Sequence, residues 1–341
     1  MKNLNYQFKI FSDINPEEIC RFNQEMYHSN QMPRIEDLQW QFRVGYKKGI
    51  EPLYILVDNK IVGQAGLLPI DLILDNLIET GIWFNSFIIS KSMQGKGLGK
   101  LLTEKWMSLA PIHITNCNDN SMAIFRKYGW QEEFNTARFA LPLNLYKTAL
   151  SKQWKGWKLG ATKLAQPFYF FWQKLNHQFH LDSSIRPVGT FTVEKLYALF
   201  SQSNEQGIHH DEHWFQWRFF EGPLRSQYHV IQLRDAAIIF RLFQLGNMKR
   251  LHVVFQNDIH DEKLHQQLLK SLIKYAIEQQ VDLIWALTNK DNLKKLYQPI
   301  LKHILYTRFA YHANELNWQT AIENRLIPLQ AADSDYDTMY A

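Results

Sequence analysis

The segment Gln94-Gly95-Lys96-Gly97-Leu98-Gly99-Lys100 carries the sharpest chemical signal in this 341-residue chain. It follows an apolar strand pattern over 84–89 and opens a helical pattern that runs to about residue 109. Glycines there let the backbone take positive φ and come close to a ligand. A helix start adds unpaired N–H groups and the positive end of a dipole. Together these suit a phosphate group. The segment lacks the Gly-Lys-Ser/Thr ending of a nucleotide triphosphate loop. It also lacks the G-x-G-x-x-G spacing of a dinucleotide fold, and no acid-ended strand follows about 20 residues on. Strand-glycine-helix punctuation alone also fits a plain turn, and Lys96 and Lys100 alone fit a solvated helix start.

A second segment raises the specificity. After a short strand pattern over 112–115, the chain reads Asn118-Asp119-Asn120-Ser121-Met122-Ala123-Ile124-Phe125-Arg126-Lys127-Tyr128-Gly129-Trp130. With the glycine segment, this resembles the GNAT acyltransferase superfamily, which uses acetyl- or acyl-CoA. That family carries Q/R-x-x-G-x-G/A after its fourth strand, matched by Gln94, Gly97 and Gly99. It carries an Asn after its fifth strand, matched by Asn118, and then a helix ending in Gly-Phe, here Gly129-Trp130. The resemblance covers roughly residues 5–143. It implies acetyl-CoA as acyl donor, an amine-bearing acceptor and no metal. Backbone at Phe87, Ile88 and Ile89 would pair with the pantetheine arm. The amides of Gly95, Lys96, Gly97, Leu98 and Gly99 would hold the pyrophosphate beside Lys96 and Lys100, and Asn118 would contact the CoA arm.

Acyl transfer to an amine removes a proton from the amine, polarises the thioester oxygen and releases a thiolate. Many relatives protonate the thiolate with a tyrosine four residues before the Gly-Phe. That position is Phe125, in the expected CoA-binding wall, and it cannot donate; Tyr128 lies three residues on. The family position for a base at the start of the fifth strand falls on His113, whose imidazole suits proton transfer near neutral pH. Its alternative is a polar strand-edge residue. Asn85 and Glu79 flank the fourth strand and are candidates to contact the acceptor. Cys117 has no ordered Cys-His-Asp set around it and reads as a buried apolar cysteine.

The elements that must position these residues alternate between strand and helix patterns over the first 143 residues, and 183–325 repeat the order. Phe215-Gln216-Trp217-Arg218-Phe219 echoes Leu38-Gln39-Trp40-Gln41-Phe42, and matching strands and helices follow. The expected fold class is α/β, with two tandem GNAT-like mixed-sheet domains joined by a basic aromatic linker. The expected boundaries are 1–146 for the acyl-CoA-binding domain, 147–182 for the linker, 183–325 for a degenerate second copy and 326–341 for a tail. The second copy has no glycine loop. Its equivalent, Gln256-Asn257-Asp258-Ile259-His260-Asp261-Glu262, carries three acids that would repel a pyrophosphate. Tyr297 sits at the spot matching Phe125 and reads as a core residue. His209-His210-Asp211-Glu212-His213 looks like a metal cluster but reads better as a helix cap and core face.

Residues 134–181 contain no Asp or Glu and eleven aromatics. On a helical wheel for 146–164, five lysines fall within roughly half the circumference and Tyr146, Trp154 and Trp157 fall on the other half. Two expectations follow, a linker helix packed on the domains or peripheral contact with an anionic membrane. Residues 331–341 carry three Asp and no basic residue and read as a disordered tail.

The composition sets outer limits. Lys+Arg 38 against Asp+Glu 33 is too small an excess for a nucleic-acid binder. Two cysteines cannot form a disulfide framework or a four-ligand zinc site. The start of the sequence lacks a signal-peptide pattern, so a cytoplasmic protein, at most at the inner face of a membrane, is expected. The combined reading is acetyl transfer from acetyl-CoA to an amine. Trp217-Arg218-Phe219 looks like helices of tandem GNAT-like proteins of surface polysaccharide assembly, which points to an amino sugar. The alternatives are a non-catalytic CoA- or partner-binding module and an acyltransferase acting on a peptide or lipid headgroup.

Overall fold

The computed structural model describes residues 5–28, 32–74, 77–117, 119–178, 191–201, 207–257, 261–314, 318–320 and 327–333. The first half runs β1 (Tyr6–Ile10), α1 (Pro16–Met26), α2 (Ile35–Gln41), β2 (Leu53–Val57), β3 (Lys60–Leu74), β4 (Leu77–Ile89), α3 (Leu98–Met107), β5 (Ile112–Asn116), α4 (Asp119–Phe125) and β6 (Gln131–Pro142). The linker forms α5 (Leu145–Ser151) and α6 (Trp157–Gln178). The second half runs α7 (Val193–Phe200), β7 (Gly207–Ile208), α8 (Glu212–Phe215), β8 (Tyr228–Leu233), β9 (Ala236–Leu245), β10 (Met248–Gln256), α9 (Glu262–Glu278), β11 (Leu283–Thr288), α10 (Asp291–Tyr297) and β12 (Lys302–Ala313).

Local chemistry sets many of these boundaries. Asn15 accepts from the Glu17 amide and Pro16 occupies the first position of α1, where a missing N–H costs nothing. Thr192, Asp211 and Asp261 cap α7, α8 and α9 in the same way. Asp58 and Asn59 take positive φ in the β2–β3 turn, and Arg234 does so in the β8–β9 turn.

All strands among the described residues join one mixed sheet in the order β1-β2-β3-β4-β5-β12-β6-β11-β10-β9-β8, with β7 added on β3. The final strands of the two halves are exchanged. β12 pairs with β5 through Phe309↔Asn116 to Ala313↔Ile112, and β6 pairs with β11 through Ala137↔Thr288 to Pro142↔Leu283. The expected domain limits at 146 and 183 therefore divide the chain but not the sheet.

Alternation along the strands covers both faces. Leu53, Ile55 and Val57 of β2 pack on α3 and α4, while Tyr54 and Leu56 pack on α1 and α2. In the second half, Ile238 and Phe240 meet α9, while Ala237 and Ile239 meet α7 and α8. The echo between the halves has a physical counterpart. Trp40 Nε1 donates to the Trp217 carbonyl, and Trp217 Nε1 donates to the Trp40 carbonyl, both at 2.8 Å. Gly222 packs so tightly on the Trp40 ring that an added Cβ would come within 2.3 Å.

Two expectations about connecting segments are corrected. The 146–164 stretch is not one helix. α5 ends at Ser151, Gln153 and Gly156 take positive φ, and α6 restarts at Trp157 with Pro167 inside it. Residues 331–333 are not a loose tail. Ala331, Ala332 and Asp333 are buried in a 3-10 turn, and His210 Nε2 meets Asp333 Oδ1 at 2.5 Å. Residues 334–341 lie outside the described residues.

Candidate active site

The site is built on the end of β4. This strand pairs in parallel with β5 over four positions only, Gly81↔Ile112 to Phe84↔Thr115, although β4 continues to Ile89. Thr115 Oγ1 donates to the Phe84 carbonyl at 2.8 Å and closes the last paired position. Beyond it the pairing stops, one residue before β5 ends at Asn116, and β4 runs on without a partner on this edge among the described residues. On the other edge of β4, the register against β3 shifts between Gln64↔Ile88 and Gly66↔Asn85. Ser86 and Phe87 thus oppose the single residue Ala65. Ser86 has φ +50, a conformation few non-glycine residues adopt. Such a bulge withdraws backbone groups from the ladder and re-aims them.

Asn85 stands at this bulge with a buried Oδ1 that has no hydrogen-bond partner among the described residues. A Cβ on Gly66 would come within 2.4 Å of that oxygen and 2.7 Å of Phe42, so the glycine makes room for the amide. Phe87 is 37% exposed and tilts against Phe84. Ile88 lines a cleft, and Ile89 packs partly on the α3 core. Glu79 pairs through its backbone with Leu72. It lies six residues from Asn85, about 20 Å along a strand.

The loop after β4 then turns into α3. Gln94 Nε2 donates to the Ile89 carbonyl at 2.9 Å, tying the loop to the strand. Gly95 has φ +75. Gly97, at φ +82, is the N-cap of α3 and offers no side-chain cap. The first-turn amides of Leu98 and Gly99 have no acceptor within the helix. Leu98's side chain is buried in the core, which leaves only its backbone amide as a contact the loop could offer. The Gly99 position has Phe87 as its neighbour, 3.7 Å from a would-be Cβ. Lys96 Nζ contacts Met93 Sδ at 3.3 Å, and exposed Lys100 pairs with exposed Glu104 at 3.6 Å. The Lys96 ammonium, which no carboxylate among the described residues pairs, and a row of amides give this corner a positive field, with Lys100 shared with Glu104. Asn118 lies outside the described residues.

Next to the loop is a cleft of about 680 Å³ between the end of α1, the β2–β3 turn and residues 88–94. Glu25, His28, Asp58, Lys60 and Lys91 line it. Sequence reading missed this cleft, because its carboxylates and imidazole come from three segments with no shared spacing. The signal present was Gly63 and Gly66 in β3, where a Cβ would collide with Ile89 and Asn85.

Two expected roles change, those of His113 and Phe125, while Cys117 keeps its expected one. His113 is fully buried, and neither ring nitrogen has a hydrogen-bond partner among the described residues. Trp106, Trp130 and His312 surround it at 5.1, 6.0 and 5.7 Å. Burial, aided by His312, pushes its pKa down to about 3. It stays neutral and walled off at any pH near 7, so it is a core residue and not the base. Phe125 stacks on Trp130 at 4.7 Å and meets Phe84 edge-on at 5.8 Å. It is 6% exposed and props the root of the splayed strands rather than touching a ligand. Burial raises Cys117 to about 11, which keeps it a thiol and removes it as a nucleophile.

The second half carries the same frame with different contents. β10 pairs in parallel with β11 over four positions, Arg250↔Leu283 to Val253↔Ala286, and a register shift follows between Val253 and Phe255. Here the gap is filled by the chain itself. Thr288 bridges to Gln330, and the Gln256 amide donates to Gln330 Oε1 at 2.7 Å. Gln330 Nε2 returns to the Gln256 carbonyl at 2.8 Å. Asn289 holds Ile327 and Leu329 through its side chain. Tyr297, fully buried, donates to Gln256 Oε1 at 2.8 Å. Asp261 already caps α9. Asn257 is consumed by Ala237, Leu199 and Asp235. Residues 258–260 lie outside the described residues. Among the described residues, no group of three His, Cys, Asp or Glu is arranged to hold a metal ion.

No protein-family model matches the chain, and no curated protein sequence does either. Solved structures do. A GCN5-related N-acetyltransferase from Kribbella flavida aligns at 12% identity and TM-score 0.56, covering 91% of this chain and 71% of its own. The N-myristoyltransferase of Saccharomyces cerevisiae with bound myristoyl-CoA aligns at 13% identity and TM-score 0.58, covering 92% and 84%. A GCN5-related N-acetyltransferase from Anabaena variabilis aligns at 12% identity and TM-score 0.60, covering 90% and 72%. The alignments extend over both halves. The chain has the GNAT fold.

Proposed function

We propose that this GNAT-fold chain transfers an acyl group from acyl-CoA to an amine, and that only the first half binds the CoA. The observation that carries the reading is the start of α3 without a side-chain cap, with Gly95 and Gly97 at positive φ, set against the end of β4 that has no β5 partner. The loop amides would take the pyrophosphate, and the β4 end would take the pantetheine arm. The thioester oxygen would lie against backbone N–H groups re-aimed by the bulge at Ser86 and Phe87, where a growing negative charge is stabilised. The amine would enter from the cleft of Glu25 and His28, either of which can accept its proton. Attack of the amine on the thioester is direct in this reading, with burial keeping Cys117 a thiol. Phe125 donates nothing, so the thiolate leaves unprotonated or takes a proton from water.

An acetyl donor and an amino-sugar acceptor are the narrower reading. Trp217 and Phe219, whose pattern suggested the sugar, are buried in the core shared by the two halves and lend it no support. The test therefore uses acetyl-CoA and longer acyl-CoAs with amino sugars, peptides and small amines, and follows thiol release. The expected result is amine-dependent release and one CoA per chain in native mass spectrometry. CoA bound without turnover across the panel would overturn transfer and leave a CoA-binding module, the reading that Phe125 favours.

A further inference from the structure

The helix α6 is turned inside out for a protein in water. The side it gives the protein is partly polar. Gln166 accepts from the Leu145 amide and donates to the Leu143 carbonyl, Gln173 is 3% exposed, and Phe170 packs on the α9 core. The side it gives the solvent is apolar. Trp157, Leu164, Phe168, Phe171, Trp172 and Leu175 are 79, 78, 81, 62, 56 and 36% exposed. At 100° per residue these six fall within an arc of about 100°, and from 157 to 175 the stripe is about 27 Å long. Such a contiguous exposed stripe marks an interaction surface.

We propose that α6 lies flat on an anionic lipid bilayer, with this stripe in the headgroup boundary. Charge selects that occupant. Lys158 and Lys163 are exposed and stand about 100° and 120° to either side of the stripe's centre, where their stems reach back to lipid phosphates. Lys152 and Lys155 precede the helix and are also exposed. From 134 to 181 there is no acidic residue to oppose them. A second copy of the chain would bring lysines against lysines. Among the described residues no helix is long and apolar enough to cross a membrane, so the contact is peripheral. Trp154, 44% exposed beside Trp157, adds a second indole at interface depth. The proposal stands independently of the chemistry at the glycine loop.

The test is flotation of the full chain with vesicles of phosphatidylglycerol and phosphatidylcholine, and with phosphatidylcholine alone. Binding is expected to the anionic vesicles, with a blue shift of tryptophan emission, and to fall about tenfold or more between low and high salt. Phe168→Glu with Phe171→Glu changes only exposed positions. It is expected to abolish flotation while the circular-dichroism melt and CoA affinity stay put. Lys158→Glu with Lys163→Glu is expected to remove the salt-sensitive part. No flotation at low salt, equal flotation of the Phe variant, or a concentration-dependent dimer dissolved by that variant would each overturn the proposal.

Discussion

The two halves start from the same frame and end as opposites. Each has a parallel pair four residues long, a bulge just beyond it and a helix behind the gap. In the first half the gap is followed by glycines and an uncapped helix. In the second, residues 327–330 lie in the gap, Gln256 and Asn289 hold them, and Asp261 caps the helix. A splayed strand pair exposes backbone groups that must find partners. On the proposed function one half leaves that demand to acyl-CoA; the other meets it from its own C-terminal segment. On that reading the repeated frame yields one binding site and one rigid support.

The largest expected effect comes from making the first gap like the second. Gly97→Glu places a side chain at φ +82 and a negative charge where the pyrophosphate would lie. It should weaken acyl-CoA binding by a hundredfold or more, read by titration calorimetry alongside an unchanged far-ultraviolet spectrum. Two CoA per wild-type chain would erase the distinction between the halves. Conversely, Leu329→Ala opens the second gap. Leu329 is fully buried, so about 2–4 kcal/mol of stability should go, measured by urea unfolding, with CoA affinity unchanged. A gain of a second CoA site in that variant would show that the C-terminal segment masks a competent site.

His113 gives a smaller, pH-dependent effect. Its folded pKa is depressed to about 3 from the ordinary value of 6.5. The unfolded state therefore binds the proton first, and the stability contribution falls as pH drops from 6.5 towards 3. The slope is at most about 1.4 kcal/mol per pH unit. His113→Leu should flatten that slope in unfolding measurements and leave any pH–rate profile in place. A lost alkaline or acid limb in the rate profile would restore His113 to the chemistry. The smallest effect tests the pairing of the halves. Trp40→Phe and Trp217→Phe each remove one of two reciprocal bonds and should each cost about 1 kcal/mol. Unequal costs well beyond that would show that the two are not equivalent.

What could be read from the sequence was what is local in it. The loop of Gln94, Gly95 and Gly97 declares itself because strand, turn and helix start are contiguous. The repeat declares itself through Leu38–Phe42 and Phe215–Phe219 because those segments keep their spacing. His113 misleads because what covers it comes from Trp106, Trp130 and His312, the last nearly two hundred residues away. The acids near the C-terminus suggest solvation, yet Asp333 is satisfied by His210, across 123 positions. The wheel over 146–164 fails because the helix phase is reset between Ser151 and Trp157, which turns the aromatic stripe outward. The strand exchange leaves no mark at all: β6 alternates in the same way whether its neighbour is β5 or β11.

That exchange has a consequence for the chain during synthesis. The edge of β5 is closed by β12, so Asn116 waits for Phe309. At about 5–20 residues per second, the delay is roughly 10–40 s. Throughout it the nascent first half lacks the native neighbour of β5, and β6 gains its first native neighbour only with β11. Open edges of this kind recruit other chains. The sheet cannot close before β12 emerges.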